Sequence, residues 1–287
     1  MRILISGGSG FIGQSLAKTL TSRGDEVLIW SRQNPSKPSW IKQLSEIETP
    51  VDVIINLAGA GIIDKRWTPE RKKLLRSSRL ETTRNIVEWI SKQDQKPKCL
   101  ISASAIGFYG SQKSMDLNES SSPVDGFTHR LCADWESEAL KAEEFGVRVC
   151  LIRTGIVLGN GGALKKMLLP FKLGLGGPIA SGKQWMSWIH LDDEISAICW
   201  LIDDESLQGP FNLTAPEPVT NEVFTKELAS TVRRPAIFRV PAIVMKGLLG
   251  ESSELLIEGQ CVRPVALQNS GFQFKYTSVT HALQSLV

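Results

Sequence analysis

Arg2-Ile3-Leu4-Ile5-Ser6-Gly7-Gly8-Ser9-Gly10-Phe11-Ile12-Gly13 is the stretch from which the fold can be read. Residues 2–6 are apolar and rich in β-branched side chains, which predicts a buried strand. The glycine run then turns the chain. Ile12, Leu16 and Leu20 recur at helical spacing as far as Gly24, a helix stop. A strand, a glycine turn and a helix start, in that order, form the setting in which such a run binds a dinucleotide. Gly7 and Gly8 open backbone angles closed to side chains, and Gly10 lets the backbone approach a pyrophosphate. Gly13 lets the helix pack closely on the strand. The helix N-terminus offers unpaired N–H groups and a positive dipole end to the phosphates.

Working outward, Val27 to Trp30 reads as a second strand with Ser31 and Arg32 at its end. An acid there would suit the ribose hydroxyls of NAD; an arginine suits a 2′-phosphate, and Ser31 adds a hydroxyl. NADP(H) is therefore the expected cofactor, the alternative being that Arg32 is a solvated residue before Asn34-Pro35. Pro35, Pro38 and Pro50 bracket a short helical piece around Trp40 to Ile47, so the adenine side looks abbreviated. Residues 51–57 form a buried strand ended by Ala58 and Gly59, small enough for a cofactor to lie over Leu57, Ala58 and Gly59. Thr68 and Pro69 open a basic helix to about Lys92. Its expected inner face is Leu74, Leu75, Leu80, Ile86, Val87 and Ile90. A strand from Cys99 closes in the sequence SASAIGFYG (102–110), a helix covers about 128–145, and a strand covers 148–152. The glycine-rich 158–188, with a short helix near 164–173, contributes to the substrate side. Residues from 216 form a helical lobe, with helices near 220–232, 242–249 and 279–286. This alternation predicts an α/β fold, a doubly wound parallel Rossmann sheet over 1–215, with a small helical lobe at 216–287.

The chain has 287 residues, 42% hydrophobic and 22% charged, the profile of an ordinary globular protein. A net charge of +3, with scattered basic residues, argues against nucleic acid or membrane as partner. The N-terminus reads as a core strand rather than a secretory signal, and five cysteines without CxxC spacing fit a reducing cytoplasm. Three histidines lack metal-ligand spacing, so no metal is expected.

The stretches GGSGFIG, NLAG, SASAIGFYG and WIHLDD together resemble the extended short-chain dehydrogenase/reductase superfamily. DKRW, SSRLETTR, RTGIVLG, LPFKLGLGGPIASGKQ and GQCVRP narrow the resemblance to its atypical epimerase-family proteins, which carry a short C-terminal domain of unknown function. The resemblance covers the whole chain. It implies an NADP(H) site at Gly7, Ser9, Gly10, Phe11, Ile12, Gly13, Ser31, Arg32, Leu57, Ala58 and Gly59. Arg79 aligns where relatives place a cofactor-facing asparagine; it holds a cofactor phosphate, holds a substrate anion, or lies on the helix surface.

Typical members use a Tyr-x-x-x-Lys pair on the helix that here reads FTHRLCADWE (127–136), which has neither residue. Tyr109 and Lys113 match that spacing but fall in a loop, where they would not face one site. Ser104 stands where the superfamily's substrate-orienting serine stands, and Tyr109 is a displaced proton donor. Cys132, His129 and His190 are secondary candidates, His190 also reading as a structural residue at a helix start. Arg153, Gln184 and Trp188 are candidates for the substrate side, with lobe packing as the alternative for the last two. Two functions stay open: an NADP(H)-dependent oxidoreductase or epimerase-like enzyme on an unidentified small molecule, and a non-catalytic NADP(H)-binding sensor of a protein partner. The protein would be a monomer or a homodimer.

Overall fold

Runs of Ile, Leu, Val and Cys at 3–5, 27–29, 53–55, 99–101 and 149–152, too apolar for a strand exposed on one face, become five of the seven parallel strands of one sheet in a computed structural model. It describes residues 1–31, 39–112 and 115–287. The strands are β1 (Arg2–Ser6), β2 (Glu26–Trp30), β3 (Trp40–Ile41), β4 (Val53–Asn56), β5 (Cys99–Ala105), β6 (Arg148–Thr154) and β7 (Gly209–Leu213). Their order is β7-β6-β5-β4-β1-β2-β3, with every neighbouring pair parallel. The winding reverses between β1 and β4, and ligands of such sheets bind where strand C-termini flank that switch.

The helices are α1 (Phe11–Ser22), α2 (Pro69–Ser91), α3 (Phe127–Leu140), α4 (Gly162–Lys172), α5 (Leu191–Asp203), α6 (Asn221–Thr231), α7 (Ala242–Leu249), α8 (Glu254–Ile257), α9 (Val265–Asn269) and α10 (Val279–Gln284). Alternate strand residues split the core. Ile3, Ile5, Ile55, Ile101 and Ile152 pack on α1 and α5, while Leu4, Ile54, Leu100 and Val149 pack on α2 and α3. Beyond the sheet, α4, α6 and α10 close a third cluster around Trp188. The strand pair of 116–117 with 261–262, and Leu267 and Phe272 packed under the sheet, join the C-terminal region to the first core. No helix among the described residues is long and apolar enough to cross a membrane.

Three expectations need correction. The helical piece around 40–47 is instead strand β3 followed by a single tight turn at Leu44–Glu46, because Trp40 and Ile41 pair with Ile29 and Trp30. The helix to 145 is α-helical only to Leu140, and a tighter turn ends at Gly146 with φ +75°. Leu74 is 46% exposed; the inner face of α2 runs through Leu75, Ser78, Thr83 and Ile86, and two of these are hydroxyls that apolar patterning overlooks.

Gly13 sits where α1 meets the turn, and a Cβ there would lie 2.4 Å from the Gly7 carbonyl oxygen and 2.7 Å from Gly8 Cα. Both are backbone atoms. The overpacking outweighs the better helix propensity of alanine, so Gly13→Ala should cost about 1–3 kcal/mol in urea unfolding. An unchanged midpoint would refute that packing.

Candidate functional site

At the C-terminal edge of the sheet, the glycine turn and the end of β4 touch. Gly7 has φ +75°, and a Cβ on it would come within 2.7 Å of the Leu57 carbonyl. Ser6 Oγ donates to Asn56 Oδ1 at 2.6 Å, and Asn56 Nδ2 donates to Thr83 Oγ1 at 2.8 Å. Trp135 Nε1 donates to the same Thr83 oxygen. Thus β1, β4, α2 and α3 are pinned at one point below the site. Gly10 caps α1 without any side-chain hydrogen bond, and no acid stands in the first turn. The first N–H groups of α1 thus have no side-chain cap or first-turn acid to compete with an anion. Ile12 rests on the core.

Phe11 has a partner that sequence reading overlooked. Cβ atoms on Gly159, Gly161 and Gly162 would each come within 3.0 Å of its ring. The run LGNGG is thus a second glycine segment, spared side chains so that α4 can start against Phe11. Only its proximity to residue 11 gives it meaning, and proximity is not in the sequence.

Arg79 lies across Gly59, whose absent Cβ would sit 3.0 Å from the guanidinium carbon. The guanidinium donates to Leu75 O at 3.0 Å and rests 5.1 Å from the Trp135 ring. It is half-buried, has no carboxylate partner among the described residues, and burial pulls its pKa below the ordinary guanidinium value. A desolvated cation with donors to spare is suited to an anion. Ser31 N donates to Ile41 O at 3.0 Å, which ties the end of β2 to β3. Arg32 and Lys113 lie outside the described residues.

Ser104, Tyr109 and Arg153 do come together, but inside the protein. Ser104 Oγ donates to Glu136 Oε1 at 2.6 Å. Arg153 pairs with Glu136 through Nε at 2.9 Å and Nη2 at 2.8 Å, and its Nη1 donates to the Tyr109 hydroxyl at 3.1 Å. Tyr109 in turn donates to Asn212 Oδ1 at 2.7 Å. Every nitrogen of Arg153 is committed and its plane lies 3.4 Å from the Phe108 ring centre, so it is a buried strut rather than a cleft residue. Tyr109 is fully enclosed, and burial raises its pKa against the pull of Arg153, which leaves it no open face for proton donation. Ser104 stands at the end of β5 with its proton held by Glu136. Beside it, burial pushes the Cys132 thiol up to about 11, with the Glu136 charge adding to the effect.

His129 Nδ1 contacts Phe108 O at 2.6 Å. His190 accepts the Asp192 N–H at 3.0 Å, capping α5 itself, and stacks on Tyr276. Trp188, expected on the substrate side, is fully buried with its indole N–H on Glu217 O, so it packs the third core and walls no cleft. Gln184 does line a cavity. No metal-binding cluster of His, Cys, Asp or Glu occurs among the described residues.

Comparison with known proteins matches residues 3–213 to the NAD dependent epimerase/dehydratase family and residues 240–286 to a domain of unknown function (DUF1731). The chain belongs to the NAD-dependent epimerase/dehydratase family. Among family relatives, the epimerase family protein YfhF of Bacillus subtilis is 39% identical, covering 100% of this chain and 98% of that one. The epimerase family protein SAR0825 of Staphylococcus aureus is also 39% identical, over 99% and 98%. The human epimerase family protein SDR39U1, solved with NADPH, superposes with a TM-score of 0.92 at 32% identity, covering 100% and 99%. A UDP-N-acetylglucosamine 4-epimerase from Bacillus cereus, at 15% identity and TM-score 0.78, shares the fold.

Proposed function

We propose that the protein is an NADP(H)-dependent oxidoreductase or epimerase-like enzyme acting on a small molecule. Arg79 carries this reading: a half-buried guanidinium with no carboxylate partner among the described residues lies on Gly59, at the strand end whose Leu57 meets the glycine turn. From that turn α1 opens uncapped and acid-free, and together these fit the phosphates of a dinucleotide. The residues that would hold it are Gly7, Ser9, Gly10, Phe11, Ile12, Gly13, Ser31, Arg32, Leu57, Ala58, Gly59 and Arg79. The NADPH in the human relative supports the phosphorylated cofactor. Bound there, the nicotinamide would supply hydride chemistry. Ser104 is the residue we assign to orient a substrate, and five free thiols favour a reducing, cytoplasmic setting.

Calorimetry with NADPH and NADH tests the reading. Loss of a charge-assisted contact of about 1.5–3 kcal/mol should weaken NADPH about tenfold or more in Arg79→Ala. Arg32→Ala should weaken NADPH and spare NADH. A wild type that binds neither cofactor sinks the proposal; equal affinities sink its NADP(H) part.

One observation favours a second reading, a non-catalytic NADP(H)-binding sensor of a protein partner. The hydroxyls of Ser104 and Tyr109 both donate to buried protein acceptors. Turnover of a carbonyl compound that oxidises NADPH and falls in Ser104→Ala would decide for the enzyme.

A further inference from the structure

Two segments far apart in the sequence share one make-up. Residues 162–180 and 232–249 together hold seven of the chain's 33 lysines and arginines and no aspartate or glutamate. The other 26 basic residues are outnumbered by 30 acidic ones, so the positive excess resides in these two stretches. The whole-chain charge of +3, which argues against a membrane, hides that concentration.

The fold sets the two segments side by side. Val240 N donates to Pro178 O and Ala180 N donates to Val240 O, both at 2.8 Å, and a Cβ on Gly177 would overlap the Phe238 carbonyl. Lys166 Nζ pairs with Asp64 at 2.6 Å and Arg66 Nη2 donates to Gly247 O, so α4 and α7 flank the same 64–66 loop. The surface they share is apolar and uncovered. Leu169, Leu173 and Leu175 are 61–65% exposed, and Ile237, Ile243 and Leu248 are 66–78% exposed. Of the fourteen large hydrophobic side chains exposed among the described residues, eight lie in these two segments, and such concentration marks an interaction site. The helix α7 reads AIVMKGLL, yet none of its residues is buried. A helix this apolar is stabilised by burying a face, and the protein gives α7 no core to bury it in.

Charge selects the occupant. All seven cations are exposed. Lys166 is paired with Asp64 and Arg239 with Glu222, whereas Lys165, Lys172, Arg233, Arg234 and Lys246 have no carboxylate partner among the described residues. Two copies meeting through this face would bring like charges together, which disfavours a dimer. Protein interfaces are enriched in Tyr and Trp and depleted in Lys, and these segments hold neither aromatic while setting Leu and Ile among lysines. Aliphatic side chains beside Lys and Arg, whose long stems leave their charged heads at the water boundary, are the make-up of a segment that lies on an anionic bilayer.

We propose that α4 and α7, with the 237–240 segment between them, form a docking face for an anionic phospholipid bilayer. The apolar side chains enter to the depth of the headgroups and the cations hold the lipid phosphates. The protein lies on the surface without crossing it, as no described helix is long and apolar enough to do so. This goes beyond the cofactor reading. It uses none of the cradle residues, and its test contains no nicotinamide, so either can fail alone.

The test is co-sedimentation of the full chain with vesicles of phosphatidylcholine, alone or with about one-third phosphatidylglycerol, at about 0.1 M and about 0.5 M salt. Binding should be about tenfold or more stronger on the anionic vesicles and should weaken at the higher salt. Lys165→Gln with Lys246→Gln should weaken it about tenfold or more. Ile243→Ser with Leu248→Ser should do the same at an unchanged melting temperature, since both side chains already face water. No binding at about 1 mM lipid overturns the proposal, as does equal binding to both kinds of vesicle. Indifference to salt or to either double variant overturns it as well. Sedimentation velocity without vesicles, and titration with poly-glutamate, cover the other occupants. A dimer that the serine variant dissolves gives the face to a second copy, and poly-glutamate bound as tightly as the vesicles gives it to an acidic protein; either result overturns the bilayer.

Discussion

Glu136→Ala should cost about 3–5 kcal/mol of stability, because it strands a buried guanidinium. Glu136 and Arg153 are 5% and 4% exposed, and the carboxylate accepts from Ser104 Oγ as well as from two Arg153 nitrogens. Burial alone would lower the Arg153 pKa, and the hydrogen bonds and charge of Glu136 reverse that, holding it above the usual value. Without the carboxylate, Arg153 keeps only the Tyr109 hydroxyl, the Glu119 carbonyl and the Phe108 ring. Thermal unfolding should drop by roughly 6–15 °C, taking about 2–3 °C per kcal/mol for a chain of this length. Arg153→Met in the same background should recover most of the loss, since a matched apolar pair avoids the desolvation of either charge. A single variant less than about 1 kcal/mol below wild type would mean that the pair is solvated and Arg153 is free to act elsewhere.

The same pair shows where reading a sequence stops. The central strands were legible because β1, β2, β4, β5 and β6 each contain an apolar run, whereas the two-residue β3 carries too little pattern to be told from a helical turn. The cradle was legible because Gly7 and Gly13 answer a local demand, a positive φ and a backbone contact within a few residues. Arg153 answers a distant one. Its partner stands on α3, so a strand-end arginine read alone passes for a cleft residue. Trp188 misleads for the same reason, since the helices that bury it belong to α4, α6 and α10. Phe11 and the 159–162 glycines, or Gly259 and Trp185, become pairs only once the chain has folded. Local chemistry shows at the level of sequence, whereas chemistry assembled across elements waits for the structure.

Glu194 gives the last expected result, a stability that falls as pH rises. It is fully buried on α5; Thr154 Oγ1 donates to its Oε1 at 2.8 Å, and Oε2 has no partner. Burial pushes its pKa up to about 8 from an unfolded value of 4.5, against the pull of the Thr154 hydrogen bond. Between those values the folded state holds a proton that the unfolded state has released. The favourable contribution is therefore complete below about pH 4.5, is lost as pH climbs toward 8, and stays lost above it. A shift of that size is worth on the order of 5 kcal/mol. Glu194→Gln keeps the shape and removes the titration. At about pH 5 the variant should match wild type closely, and at about pH 9 it should be the more stable by several kcal/mol in urea unfolding. Asp193, also raised by burial, adds a slope of the same sign to both proteins and cancels in the difference. If that difference were equal at both pH values, Glu194 would have to be ionised in the fold, with Oε2 satisfied by solvent that burial denies it.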